Sequence, residues 1–166
     1  MHVVEVRSAM LAEAPAISRL LAEAIRGTYT DVLSESAVQQ LVSANCSLAQ
    51  IKAEIGIPGG APGWLGWLVA VDGERVIGAA AGGVPTAGEG ELYSLCTAPD
   101  RRGQGVGASL LAAATDRMLE HDAKRQAVNL HSEQDPTEGF FRRYGFDGTD
   151  RRLKRALRAH PPQPGP

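Results

Sequence analysis

The chain has 166 residues, 43% of them hydrophobic and 22% charged, with a formal net charge of −2 and a pI near 6.1. That is enough for one domain with a buried core, and the small net charge gives no electrostatic reason to expect nucleic acid or a membrane as partner. Two cysteines, Cys46 and Cys96, fit no metal-ligand spacing and cannot frame a disulfide scaffold, so the expected location is the reducing cytoplasm, with no metal. The opening from Met1 to Arg7 lacks a basic segment followed by a long apolar one. No apolar run approaches the roughly 20 residues of a membrane helix, so neither secretion nor a membrane span is expected.

Val3 to Arg7 alternates apolar and polar and predicts a strand. Ala14, Ile17, Leu20, Leu21, Ala24 and Ile25 recur at helical spacing around Pro15 and predict the first helix. Ala37 to Ala44 and Ser47 to Ile55 can each carry a short helix, read as lid-like, before Pro58-Gly59-Gly60 interrupts. Trp67 to Val71 and Arg75 to Ala81 flank Asp72-Gly73, a hairpin signal in which both turn residues accept positive φ. Gly88 to Gly90 turns the chain into a third run, Glu91 to Thr97, which completes an antiparallel meander ending at Ala98-Pro99-Asp100.

Val106, Leu110, Leu111, Ala114, Met118 and Leu119 form an apolar stripe, predicting a helix from Gly105 to His121, and Gln126 to His131 follows as a strand. Asp135 as N-cap, Pro136 at the first helical position and Glu138 as capping-box acid predict a helix from Pro136 to Tyr144, with Gly145 as C-cap. The domain is expected to span residues 1–150. Residues 151–166 read as a tail, first basic (Arg151, Arg152, Lys154, Arg155, Arg158) and then proline-rich and disordered, although Leu153 to Leu157 could supply a last strand.

The sequence Arg102-Gly103-Gln104-Gly105-Val106-Gly107 lies between a strand and the head of a helix. Its unshielded backbone amides, with the positive end of the helix dipole behind them, make an anion site. Gly103-x-Gly105-x-x-Ala108 also satisfies a dinucleotide fingerprint. That fold, however, needs parallel βαβ repeats where this chain has a hairpin, and no Gly-Lys-Ser/Thr closes a P-loop.

The stretch from Glu91 to Leu111, with the Phe140-Phe141-Arg-Arg-Tyr-Gly-Phe146 ending, resembles the coenzyme-binding core of the GNAT N-acetyltransferase superfamily, whose signature Arg102, Gly105 and Gly107 match. The resemblance covers roughly residues 3–150. It implies an α+β fold: a mixed, mostly antiparallel twisted sheet flanked by helices and splayed between its fourth and fifth strands. It implies acetyl-coenzyme A as acyl donor. The backbones of Leu95, Cys96 and Thr97 would run along the pantetheine, and the amides of Gly103, Gln104, Gly105, Val106, Gly107 and Ala108 would hold the pyrophosphate. Gln134 stands where many members carry an asparagine that touches the coenzyme. Phe141 takes the usual tyrosine position and has no hydroxyl.

Acetyl transfer needs a neutral amine, oxyanion stabilisation and thiolate departure. Glu91 resembles the position of a general base, the Cys96 N–H that of an oxyanion donor, and Tyr144 stands three residues past Phe141 as a substitute acid. Tyr93 shares the strand face of Glu91 and, with Tyr29 and Asn129, is expected to line the acceptor side. Trp64, Trp67 and Asp31 are expected to border the cleft, and Glu89 with Glu91 to favour a cationic amine. The acceptor is a small-molecule or protein amine, and a homodimer is possible. The rival function is a coenzyme-binding sensor or partner-binding module without turnover, consistent with Phe141.

Overall fold

The computed structural model describes residues 4–56 and 62–158, so Pro58-Gly59-Gly60 and the proline-rich end lie outside the described residues. In chain order the elements are β1 (Val4–Ser8), α1 (Ala14–Tyr29), α2 (Glu35–Asn45), α3 (Leu48–Gly56), β2 (Trp64–Asp72), β3 (Arg75–Thr86), β4 (Glu89–Thr97), α4 (Val106–Glu120), β5 (Arg125–Asn129), α5 (Glu138–Arg143) and β6 (Arg152–Ala156). The six strands form one sheet in chain order, antiparallel except for the parallel pair β4 and β5. This is the expected mixed α+β architecture.

Residues 77 to 83 of β3 are all buried, so the central strand needs cover on both faces. The stripe Leu110, Leu111, Ala114 and Met118 of α4 is buried in the same core as Ile17, Leu20 and Leu21 of α1, and Ile51 of α3 joins it. Ile51, almost wholly buried, ties α3 to the core, while the other residues of the helix are exposed or half-buried.

Several local details depart from the sequence reading. Asp72 pairs directly with Arg75, so the hairpin loop is Gly73-Glu74, and only Gly73 has positive φ. That is the pattern of a II′ turn, one residue further on than Asp72-Gly73. The next turn is Ala87-Gly88, because Thr86 pairs with Glu89 and Gly90 already lies inside β4.

Helix α5 is six residues long and has Thr137 at its N-cap, so Asp135 does not cap it. Its carboxylate accepts from the Thr137 amide (2.8 Å) and hydroxyl (2.6 Å) one turn earlier. The other end does form the expected cap. Phe146 N–H donates to Phe141 O and Gly145 N–H to Arg142 O, the Schellman pattern, with the Phe141 and Phe146 rings edge to face at 5.3 Å.

The chain after residue 150 is not a tail throughout. Arg152–Ala156 is β6, paired antiparallel with all of β5. Leu153 is 1% exposed in the core, and Arg155 lies over the Phe146 ring at 4.7 Å while donating to Gln126 Oε1 and Tyr144 O. The basic run is therefore partly structural.

Candidate active site

Two irregularities in the sheet make the site. The pairing of β3 with β4 slips between Ala81↔Ser94 and Gly82↔Leu92, leaving Tyr93 as an extra residue in β4. A bulge of this kind bends the strand that carries it. Pairing of β4 with β5 stops at the same place, at Leu92↔Val128, and the strands part. From Tyr93 to Thr97 the β5-facing edge of β4 therefore borders a cavity of about 480 Å3.

The cavity follows β4 into the glycine turn. Gly103 and Gly105 have φ of +77° and +82°, which side chains rarely adopt, and a Cβ on either would meet nothing within 4 Å. The requirement is thus conformational, and the space above the turn is open. Val106, Gly107 and Ala108 open the 15-residue α4, whose first-turn amides have no partner within the helix. Arg102 and Arg143 add positive charge to the wall, and Phe140, Phe141 and Tyr144 of the α5 segment form its aromatic side.

Leu95, Cys96, Thr97, Arg102, Gly103, Gly105, Val106, Gly107, Ala108, Phe141, Tyr144, Tyr29, Tyr93 and Asn129 all line this cavity, whereas Gln104, Gln134 and Glu91 do not. Gln104 and Gln134 are exposed beyond its walls. Both oxygens of Glu91 are engaged by the Arg152 guanidinium, Nη2 to Oε1 and Nη1 to Oε2, and Arg152 also donates to Asn129 Oδ1 at 3.0 Å. Glu89 is likewise paired, with Arg125 at 2.7 Å. With both acids neutralised, the expected attraction for a cationic amine loses its electrostatic basis.

Tyr93 is 48% exposed and stacks on Trp64 with centroids 6.0 Å apart. Burial and then the Glu91 charge raise its phenol above the ordinary value. The Trp64 and Trp67 indoles donate to the backbone and carboxylate of Glu54, so neither N–H is offered to an acceptor. Tyr29 lines the cavity, but its hydroxyl is committed to Asp135. Burial pushes the Cys96 thiol up to about 12, which rules against an acyl-carrying thiolate there. Among the described residues no group of three or more His, Cys, Asp or Glu is placed to hold a metal.

The model of the acetyltransferase (GNAT) family matches residues 43–146. The chain belongs to that family. Among solved structures, the PaiA N-acetyltransferase of Thermoplasma acidophilum in complex with coenzyme A superposes with a TM-score of 0.81 at 20% identity, over 93% of this chain and 99% of that one. A GNAT family acetyltransferase of Brucella melitensis in complex with acetyl-CoA gives 0.62 at 20% identity, over 98% and 94%. At such identities these share the GNAT fold. The mycothiol acetyltransferase of Corynebacterium aurimucosum is 37% identical over 57 residues, 34% of this chain, and the match spans only 19% of that protein's length.

The GNAT reading of the sequence missed two residues that matter to the site, Arg152 and Asp135. Arg152 reaches Glu91 only because β6 returns beside β5, a pairing that no local pattern announces. Asp135 has a signal, an acid before a proline, which announces its bond from the Thr137 amide but not those from Tyr29 and His131. It is 5% exposed, and both of its oxygens are filled: Oδ1 by Thr137, Oδ2 by the Tyr29 hydroxyl (2.7 Å) and the His131 amide (2.9 Å). Burial works to raise its pKa, yet the hydrogen bonds from Thr137, Tyr29 and His131 outweigh burial and hold it below the ordinary 3.8.

A depressed folded-state pKa contributes stability above the unfolded value, and that stability is lost as pH falls through the folded one. Asp135→Asn is therefore expected to cost about 1–3 kcal/mol at neutral pH. The loss should shrink in acid, as urea midpoints at about pH 7 and about pH 3 would record.

Proposed function

We propose that the protein is an N-acetyltransferase that moves the acetyl group of acetyl-coenzyme A to a primary amine, on a small molecule or a protein, by direct attack in a ternary complex. One observation carries the reading: the unpaired edge of β4 leads, through the short 3-10 turn Pro99–Arg101, to two positive-φ glycines and the head of a long helix. An edge of free backbone groups suits the amides of a pantetheine arm, and open helix amides suit a pyrophosphate. Leu95, Cys96 and Thr97 would take the first and Gly103 to Ala108 the second, with Gln104 contributing only its backbone. When bound, the donor supplies an activated thioester.

In the transfer the amine nitrogen bonds to the acetyl carbon, the carbon–sulfur bond breaks, and the departing thiolate takes a proton while the nitrogen loses one. Glu91 is the proposed base, directly or through water, and must give up part of its Arg152 pairing to serve. The Cys96 N–H, the oxyanion donor that the resemblance implies, faces β3, because Ala98 N–H donates to Ile77 O and alternate residues of the ladder point the same way; Tyr144 is the proposed acid. A thiol of pKa about 8.5 leaves well without one, so water can replace Tyr144. Tyr93 and Asn129 stand on the acceptor side. Cys46 and Cys96 are both free thiols, which fits a reducing cytoplasm.

The second reading, a coenzyme-binding module without turnover, draws on Phe141 in place of a tyrosine and on the full engagement of Glu91 by Arg152. Release of coenzyme thiol with a panel of primary amines separates the two. The enzyme reading expects amine-dependent release, with kcat reduced about 10²–10⁴-fold in Glu91→Gln and less than about tenfold in Tyr144→Phe. Tight donor binding with no amine-dependent release would favour the module.

A further inference from the structure

Where the sheet is split, nothing in the sheet itself fixes the width of the cavity, because pairing between β4 and β5 ends at Leu92↔Val128. Two successive residues on the last turn of α1 span the gap instead. Thr28 Oγ1 accepts from Arg102 Nη2 at 2.8 Å, on the side of the glycine turn, and Tyr29 OH donates to Asp135 Oδ2 at 2.7 Å, on the side of β5 and α5. Successive helix residues diverge by about 100°, so one turn can reach both walls.

The Asp135 end is well built. Its other bonds come from Thr137 and His131 of its own loop, and Tyr29 is the donor that joins this loop to another element. The Tyr29 ring also meets His131 edge-on at 5.6 Å. On the opposite side Ile25, Tyr29 and Val38 pack together and hold α1 against α2.

We propose that Thr28 and Tyr29 are positioning residues, a strap from α1 that sets the spacing between the glycine turn and the Asp135 loop and so pre-forms the coenzyme cleft. A cleft held at its bound width spares the ligand the cost of ordering it, so the strap acts on donor affinity and leaves the chemical step alone. This inference rests on the reading of the cavity as an acetyl-coenzyme A site.

The test is acetyl-coenzyme A binding by calorimetry, with KM and kcat in parallel, on the wild type, Tyr29→Phe, Thr28→Val and the control Glu13→Gln. The control breaks the bidentate Arg7–Glu13 pair outside the cavity lining. Tyr29→Phe keeps the ring and removes one bond to a charged group. It is expected to weaken donor binding about tenfold or more, and KM for the donor with it, while kcat at saturation stays within about threefold.

Thr28→Val is expected to weaken binding in the same direction, and Glu13→Gln to lower thermal stability with donor affinity unchanged. Donor affinity within twofold of wild type in both strap variants, whatever their melting temperatures, would overturn the proposal. Should the wild type itself bind no acetyl-coenzyme A, the coenzyme reading falls first and the strap with it.

Discussion

Gly105→Glu is expected to lower acetyl-coenzyme A affinity by more than about a hundredfold, and Gly105→Ala by much less. Two effects add in the glutamate variant. Residue 105 sits at φ +82°, where any side chain costs about 1–2 kcal/mol. A carboxylate there also points its charge into space now empty to 4 Å, ahead of the orphan amides of α4 where the pyrophosphate is to sit. Alanine isolates the conformational cost, since its Cβ meets nothing. Calorimetry on both variants checks the ratio. Equal effects of the two would show that backbone strain, and not anion binding, is what position 105 controls.

Ending the chain at Asp150 is expected to prevent cooperative folding. The truncation removes β6 and exposes the whole outer edge of β5. It deletes Leu153, whose loss from the core is worth about 2–5 kcal/mol. It also takes the Arg155 guanidinium away from the buried Gln126, adding about 1–3 kcal/mol for a weakened buried network. Together these approach the entire stability of an ordinary domain, about 5–15 kcal/mol. Circular dichroism during thermal unfolding should show a broad or absent transition; a sharp one near the wild-type temperature would mean that the last strand is dispensable.

These two sites differ in how far the sequence announces them. The glycine turn is legible because its information is local: alternate glycines between a strand and an apolar helical stripe dictate both the backbone and its exposure. The helices around Leu20 and Leu111 are legible for the same reason. The last strand is announced more weakly: Leu153 to Leu157 could supply one, but Arg152 to Ala156 carries a charge at three of its five positions, and the pairing with β5 that makes it a strand has no local signal.

The acceptor side suffers most from this limit. Glu89 and Glu91 read as a negative patch, yet their cations, Arg125 and Arg152, come from strands 36 and 61 residues further on. Tyr29 does line the cavity, but its hydroxyl belongs to Asp135, 106 residues away, a partner with no local signal. Side-chain partners at such separations follow from topology, and topology was legible only as far as the splay between β4 and β5.

The most direct test is titration calorimetry of the wild-type protein with acetyl-coenzyme A and, side by side, with NAD. One site per chain with a dissociation constant on the order of micromolar for acetyl-coenzyme A, and no heat with NAD, is the predicted result. Binding of NAD with none of acetyl-coenzyme A would contradict the account and leave the chain with a GNAT fold put to another use.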